Sequence, residues 1–429
     1  MMRRQFWCIN FVVILWVVFI IVMLSKQPAM LIQSSADSPE LQKTALQVDS
    51  QLKRLEAEVA QQSKFYQQVL QKLYQISATQ QEQEETTIPV LVIACNREAA
   101  IRRSLDLLLK YRPSQSRFPI IVSQDCGHQP TKQIILSYGN EVSLIEQPDL
   151  SVIDVPVKEK KFKGYFYIAR HYKWALDHIF LEAGHQTVII VEDDLDISPD
   201  FFNYFSATHS LLRTDPTLWC VSAWNDNGKG SLVDINNGAH LLYRTDFFPG
   251  LGWMLTRSLW EELSPKWPKS YWDDWMRAPE QRKDRACIRP EISRTKTFGK
   301  KGVSNGLFFE KHLKFIHLNE QPVPFTSMNL TFLLKSEYDA AFERRVQAAE
   351  VVSLAQAKSG QLPEAGEYRL LYHTKDVFKK TTKALGLMDD FKAGVPRTGY
   401  RGVVTFMYLN RRFFLAPNNN WKGYDPTWS

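Results

Sequence analysis

Thr187-Val-Ile-Ile-Val191 runs directly into Glu192-Asp193-Asp194, and Leu195-Asp196-Ile-Ser-Pro199-Asp200-Phe-Phe202 follows at once. A short continuous apolar run of β-branched residues reads as a strand buried on both faces, and in open α/β sheets ligands bind just beyond the carboxyl ends of such strands. The three acids therefore stand where a substrate would. Consecutive carboxylates repel one another, so a positive charge belongs among them, most simply a divalent cation held through oxygen. The competing reading is a solvated acidic turn, and the rest of the chain has to decide between the two.

Outward from this stretch the pattern alternates. Pro89 to Ala94, Phe118 to Ser123 and Val142 to Gln147 read as strands; Arg97 to Lys110, Thr131 to Tyr138 and Tyr165 to Leu181 read as helices. This βαβα order predicts an α/β fold with a mostly parallel sheet covered on both faces. A body of about 340 residues is long for one core, and the glycines and charges of Gly302-Val-Ser304-Asn-Gly306, followed by Gln321-Pro-Val-Pro324, mark a break. The expected division is 88–299, a loop and linker over 300–335, and a smaller α+β unit over 336–429.

Phe6 to Leu24 form 19 residues whose only polar member is Asn10, with Arg3 and Arg4 before them and Lys26 after. As a helix this stretch spans roughly 28 Å, enough to cross a bilayer. With no small-x-small cleavage site it reads as a retained anchor, and the preceding positive charge keeps residues 1–5 cytosolic and sends the rest across. Over 25–87 the composition turns to Gln, Glu, Ser and Lys. Ala45, Val48, Leu52, Leu55, Val59, Gln62, Tyr66, Val69, Leu73 and Ile76 alternate spacings of three and four, predicting a coiled coil over 41–76 and self-association or pairing with another protein through this stem; a lone amphipathic helix is the alternative. An oxidising compartment lets Cys95, Cys126, Cys220 and Cys287 pair. Three connectivities are possible; Cys95 and Cys126 follow consecutive strands, which favours Cys95 with Cys126 and Cys220 with Cys287. Asn329-Leu-Thr331 is a sequon on that side of the membrane. The net charge of +7 is spread along 429 residues without a basic stripe, which argues against nucleic-acid binding.

Further groups belong to the same rim. The first two strands deliver Arg97 and Asp125, an arginine suited to phosphate and a carboxylate suited to a base or ribose. His171 lies on the helix before the acidic strand, and lacking Cys or His spacing typical of zinc the chain points to a metal held by oxygen. In Tyr271-Trp272-Asp273-Asp274-Trp275-Met-Arg277 the indoles are expected to wall the carboxylates and raise their pKa, making one a usable base toward a sugar hydroxyl. A surface aromatic cluster packed on the core is the alternative. Gly299 to Gly306 reads as a basic loop able to close over a phosphorylated ligand, or as a plain linker.

From Pro89 to Trp428 the chain resembles the eukaryotic β-1,2-N-acetylglucosaminyltransferases of glycosyltransferase family 13. The resemblance rests on Phe118-Pro-Ile-Ile-Val-Ser-Gln-Asp-Cys-Gly-His128, Val191-Glu-Asp-Asp-Leu195, Trp219-Cys-Val-Ser-Ala-Trp-Asn-Asp-Asn-Gly228, Tyr243-Arg-Thr-Asp-Phe-Phe-Pro-Gly-Leu-Gly-Trp253 and Trp272-Asp-Asp-Trp-Met-Arg277. It implies a GT-A, Rossmann-like fold, a UDP-GlcNAc donor, an N-glycan acceptor, Mn2+ as cofactor and a Golgi membrane location with the catalytic body lumenal. It also implies that Asp194 ligates the metal and that Glu192 and Asp193 contact sugar and ribose. Arg97, Asp125 and His171 would then hold the nucleotide, Asp273 would be the base with Trp272 and Arg277 beside the transferred sugar, and Ser304 would lie in a loop ordering over the donor. Asn96 stands where the family carries Asp, and Ser104 where vertebrate members carry Cys. The rival readings are the related transferase acting on protein O-mannose, which carries an extra sugar-binding domain this chain lacks, and a lectin-like membrane protein without turnover.

Overall fold

The structure, a computed structural model, describes residues 39–81, 87–300 and 306–428. Two compact units divide the chain, Met1–Gln83 and Glu84–Ser429. The described part of the first is one helix, Pro39–Gln81, with Val48, Leu52, Leu55 and Val59 exposed along it. The anchor expected over 6–24 lies outside the described residues; among the described residues no helix is long and apolar enough to cross a membrane.

The second unit is built on an eight-stranded sheet. Its strands are β1 (Val90–Ala94), β2 (Ile120–Gln124), β3 (Val142–Glu146) and β4 (Thr187–Glu192), then, after the short β5 (Leu195–Ile197), β6 (Leu218–Ser222), β7 (Leu242–Thr245), β8 (Trp253–Thr256) and β9 (Ala286–Pro290). The spatial order is β3-β2-β1-β4-β8-β6-β9-β7. β3, β2, β1 and β4 are mutually parallel and β6 runs parallel to β9, while β8 and β7 pair antiparallel with their neighbours. The expected α/β architecture with a mostly parallel sheet is present.

Period-two alternation divides these strands between two cores. Val90, Val92, Ile189 and Val191 pack on one face with the helix Phe201–Thr214; Leu91, Ile93, Val188 and Ile190 pack on the other with the helix Lys163–Asp177 and the tryptophans 219, 253, 260 and 272. Both faces are dry, which is why β1 and β4 read as unbroken apolar runs. Phe325, Leu330 and Leu333, in the stretch expected to be a linker, join the first core.

A small antiparallel pair, β5 with β10 (Thr295–Thr297), carries the chain across the end of β4. Beyond it come β11 (Glu350–Val351), β12 (Glu367–Tyr372), the hairpin β13 (Phe391–Lys392) and β14 (Val395–Pro396), then β15 (Val404–Tyr408) and β16 (Arg411–Pro417). The order β11-β12-β16-β15 makes a second sheet with its own aromatic core around Tyr368, Phe406 and Phe413. Cys95 bonds Cys126 and Cys220 bonds Cys287, the pairing favoured from the strand ends. Asn329 is exposed, with its Oδ1 accepting from the Thr331 N–H at 3.0 Å.

Candidate active site

Register decides which side chains meet. Ile93 of β1 stands opposite Ser123 of β2 and Glu192 of β4, so all three strands end at one level. The ladder runs one residue further on each side, with the Asp125 N–H donating to Ala94 O at 2.9 Å and the Asp193 N–H to Ile93 O at 3.1 Å. Arg97, Asp125 and Glu192 to Asp194 thus share one rim, as parallel topology requires.

The positive charge expected among the acids is a side chain of the protein. Arg97 Nη1 donates to Asp194 Oδ2 at 2.5 Å, and its Nη2 pairs with Asp193. Burial works against the Arg97 charge, but the two aspartates hold its pKa above the ordinary value. Asp193 is 1% exposed and its Oδ2 is buried without a partner. Desolvation raises its carboxyl to about 6, with Arg97 opposing. Glu192 is partly exposed as a residue, yet desolvation, reinforced by the Asp194 charge, raises its carboxyl to about 7.

Of the other residues expected at this site, Asp125 stands on the same rim and His171 is buried. Asp125 accepts from the Cys126 N–H at 2.7 Å, across a turn made by the left-handed Cys126 and Gly127, and burial raises its carboxyl. His171 is 3% exposed, its Nε2 2.8 Å from Ser123 Oγ; burial, then the charge of Arg170, lowers it to about 4 and leaves it neutral. It supports the β2 strand end from beneath. Ser304 lies outside the described residues.

The helix Trp272–Arg277 starts after Tyr271, which is left-handed at φ 50°, and stops before Pro279. Arg277 Nη1 reaches both Asp273 Oδ2 at 2.7 Å and Asp274 Oδ1 at 2.9 Å, while its Nε is fixed on Phe248 O at 3.0 Å. Lys392 Nζ takes the other oxygen of Asp274 at 2.9 Å. Burial works against it, but Arg277 and Lys392 hold Asp274 below the usual carboxylate range. At Asp274 the expectation that the indoles raise the carboxylate is therefore corrected, because the cations prevail there. Trp272 itself is 8% exposed and stacked between Trp253, Trp267 and Tyr172, so its indole belongs to the core.

Tyr172 joins the two halves. Its hydroxyl donates to Glu192 Oε1 at 2.9 Å, and its ring lies 4.4 Å from that of Trp272. Burial, then Glu192, Asp273 and Asp194, all raise its pKa, so the rim acids and the helix acid bear on one hydroxyl. Tyr172 and Lys392 were missed in the sequence, and Gly299 was read only as the start of a loop. Tyr172 adjoins His171 with nothing local to single it out, and Lys392 is 118 residues from its partner. Gly299 packs so closely that a Cβ there would lie 1.9 Å from Asp194 Oδ2, with the preceding Phe298 N–H donating to Asp194 O at 3.0 Å.

Among the described residues no three Asp, Glu, His or Cys side chains form a metal cage. One carboxylate with ligand phosphates and water suffices for Mg2+ or Mn2+, however, and Asp194 at the strand end beside the unpartnered Asp193 oxygen is a donor set of that kind. The residues fit an oxygen-held divalent cation.

The profile of the GNT-I family matches residues 12–428. The α-1,3-mannosyl-glycoprotein 2-β-N-acetylglucosaminyltransferase of Arabidopsis thaliana is 41% identical over 329 residues, 76% of this chain and 73% of that protein. Slighter likenesses among solved structures include S. aureus TarS 1–349, with TM-score 0.35, 16% identity and coverage of 49% of this chain and 59% of that one. Another is the mannosyltransferase PcManGT of Pyrobaculum calidifontis in complex with GDP-Man and Mn2+, with TM-score 0.35, 17% identity, 62% of this chain and 77% of that one.

Proposed function

Since this chain belongs to the GNT-I family, we propose that it is an inverting, metal-dependent β-1,2-N-acetylglucosaminyltransferase, moving GlcNAc from UDP-GlcNAc to the α-1,3-linked mannose of high-mannose N-glycans. The observation that carries the chemistry is Tyr172, whose hydroxyl bonds Glu192 and whose ring packs on the helix bearing Asp273. Donor-side and acceptor-side carboxylates converge there.

The α/β sheet supports a GT-A arrangement with the donor laid along the strand ends. Asp125 lines the nucleotide end with the buried His171 backing it through Ser123, Glu192 and Asp193 accept hydrogen bonds from sugar and ribose hydroxyls, and Arg97 exchanges its carboxylate partners for phosphate oxygens. Mn2+ held by Asp194 would supply a Lewis acid toward the diphosphate. Asp273 takes the proton of the mannose 2-hydroxyl as that oxygen forms its bond to the anomeric carbon and the bond to the UDP oxygen breaks. Arg277 holds the Asp273 carboxylate in place. One displacement turns the α-linked donor into a β-linked product. Ser304, in the basic loop, caps the donor in this reading.

The apolar stretch over 6–24 and the two disulfides of the body support a type II Golgi membrane protein with its body in the lumen. The test is transfer of labelled GlcNAc from UDP-GlcNAc by the full chain with Mn2+, offered a high-mannose N-glycan beside an O-mannosyl peptide. Label on the N-glycan is expected. Label on the peptide alone would support the O-mannose reading, and binding without transfer the lectin-like one. Asp273→Asn should bind UDP as before and lose transfer by a factor on the order of a thousand.

A further inference from the structure

A cavity of about 360 Å3 lies among the helix Pro279–Arg282, the turn between β13 and β14, and the segment around Trp421 and Tyr424. Four cationic side chains, Arg244, Arg282, Lys335 and Arg401, line it against two carboxylates, Asp246 and Asp284. Three of the cations have acceptors. Arg244 donates to Asp215 Oδ2 at 2.8 Å and to Thr217 Oγ1 at 2.7 Å, Lys335 pairs with Asp339 at 2.5 Å, and Arg401 faces Asp339 at 3.7 Å and Glu343 at 3.6 Å.

Arg282 is different. It is 5% exposed, its Nε is buried with no hydrogen-bond partner, and its closest carboxylate is Asp284 at 3.5 Å, whose own side chain is 98% exposed. Its guanidinium rests over the Tyr424 ring at 5.3 Å. An N–H donor held out of water without an acceptor is costly, and the Arg282 Nε is in that position. Asp246 lies near enough for its charge to act on Arg282, but the hydrogen bonds of its Oδ2 come from the Tyr424 hydroxyl at 2.5 Å and the Arg401 N–H at 2.7 Å. Burial raises the Asp246 carboxyl, while the nearby charges of Arg282 and Arg244 act to lower it. The Nε of Arg244 is a second buried donor without a partner on the same lining.

We propose that this cavity is an oxyanion-binding site, in which Arg282 receives the phosphate or carboxylate of a small molecule. Trp421 and Tyr424, edge to face at 5.3 Å, supply an aromatic wall for the rest of that ligand. The site adjoins the acceptor-side machinery: only Ala278 separates the helix of Arg282 from that of Asp273, and Ala393, on the lining, follows Lys392, which grips Asp274.

The test titrates the purified full chain with inorganic phosphate and, separately, with acetate at constant ionic strength, following heat and thermal midpoint. Each titration is repeated in Arg97→Gln, so that a signal from the donor rim is separated from one at Arg282. At least one anion should bind and raise the midpoint, and Arg282→Met should weaken that binding by about tenfold or more. The anion-free midpoint of Arg282→Met should equal or exceed that of the parent, because a buried donor without a partner is gone. Binding of phosphate alone or acetate alone says which group the site takes. Binding of neither, binding undiminished in Arg282→Met, or a variant much less stable without anion overturns the proposal, the last because it marks an arginine needed for the fold. Arg282→Lys, which keeps the charge, should retain part of the affinity.

Discussion

Glu192 and Asp193 bind their protons more tightly in the folded protein than in the unfolded chain: desolvation lifts them from ordinary values of 4.5 and 3.8 to about 7 and about 6. A carboxyl raised in this way contributes stability at low pH that is lost as pH rises through the folded value. The metal-free protein should therefore become less stable between about pH 4 and pH 7 on account of this pair. Thermal midpoints across that window check it; Glu192→Gln should flatten the slope, and an unchanged slope would contradict the assignment. Gly299 offers a second test at the same scale. Gly299→Ala places a methyl group on Asp194 Oδ2 and should push that carboxylate off Arg97, weakening UDP and metal binding while the thermal midpoint shifts little. Calorimetric titration with UDP and Mn2+ measures this, and full affinity would show that Asp194 is free to move. At this scale the rim residues were legible because each follows an apolar run. The partners that set their charge states were not: Arg97 was read as a phosphate ligand rather than as the counter-ion of the acids, and the cationic hold of Arg277 and Lys392 on Asp274 depends on a residue from the distant β13–β14 hairpin.

The stem helix shows what periodicity does and does not carry. Val48, Leu52, Leu55 and Val59 are 56 to 61% exposed along a helix of 43 residues. A stripe of that kind is expected to find a partner helix. Sedimentation of residues 27–88 should give a dimer or higher species, and Leu52→Glu with Leu55→Glu should return it to monomer; a monomer at high concentration in the parent would refute association. In the body, the helices and strands fall within a few residues of the expected spans, because period 3.6 and continuous apolar runs are properties of neighbouring residues. In Trp272-Asp-Asp-Trp275 it is the alternative, indoles packed on the core, that the structure shows for the aromatic residues. A helix turns alternate faces to the core, so its indoles pack against Trp253 and Trp267 while the acids turn to the cations.

Across the whole molecule, the disulfides join strands that parallel pairing already sets side by side. Cys220 and Cys287 face each other in register on β6 and β9, closing a separation of 67 residues. Loop-closure entropy for that length amounts to ~4 kcal/mol, so a Cys220→Ala, Cys287→Ala variant should show a clearly lower thermal midpoint. A midpoint equal to that of the parent would show that the sheet alone confines the chain. The α/β class, the shared rim and the cysteine pairing all follow from strands whose ends carry the functional residues, which is why they could be read from the order of residues alone. The convergence of Glu192 and Asp273 on Tyr172, the Arg97 counter-ion and the cavity at Arg282 belong to the tertiary structure. Local sequence sets backbone periodicity, whereas a charge state or an unpaired donor depends on which distant side chains burial brings within a few ångströms.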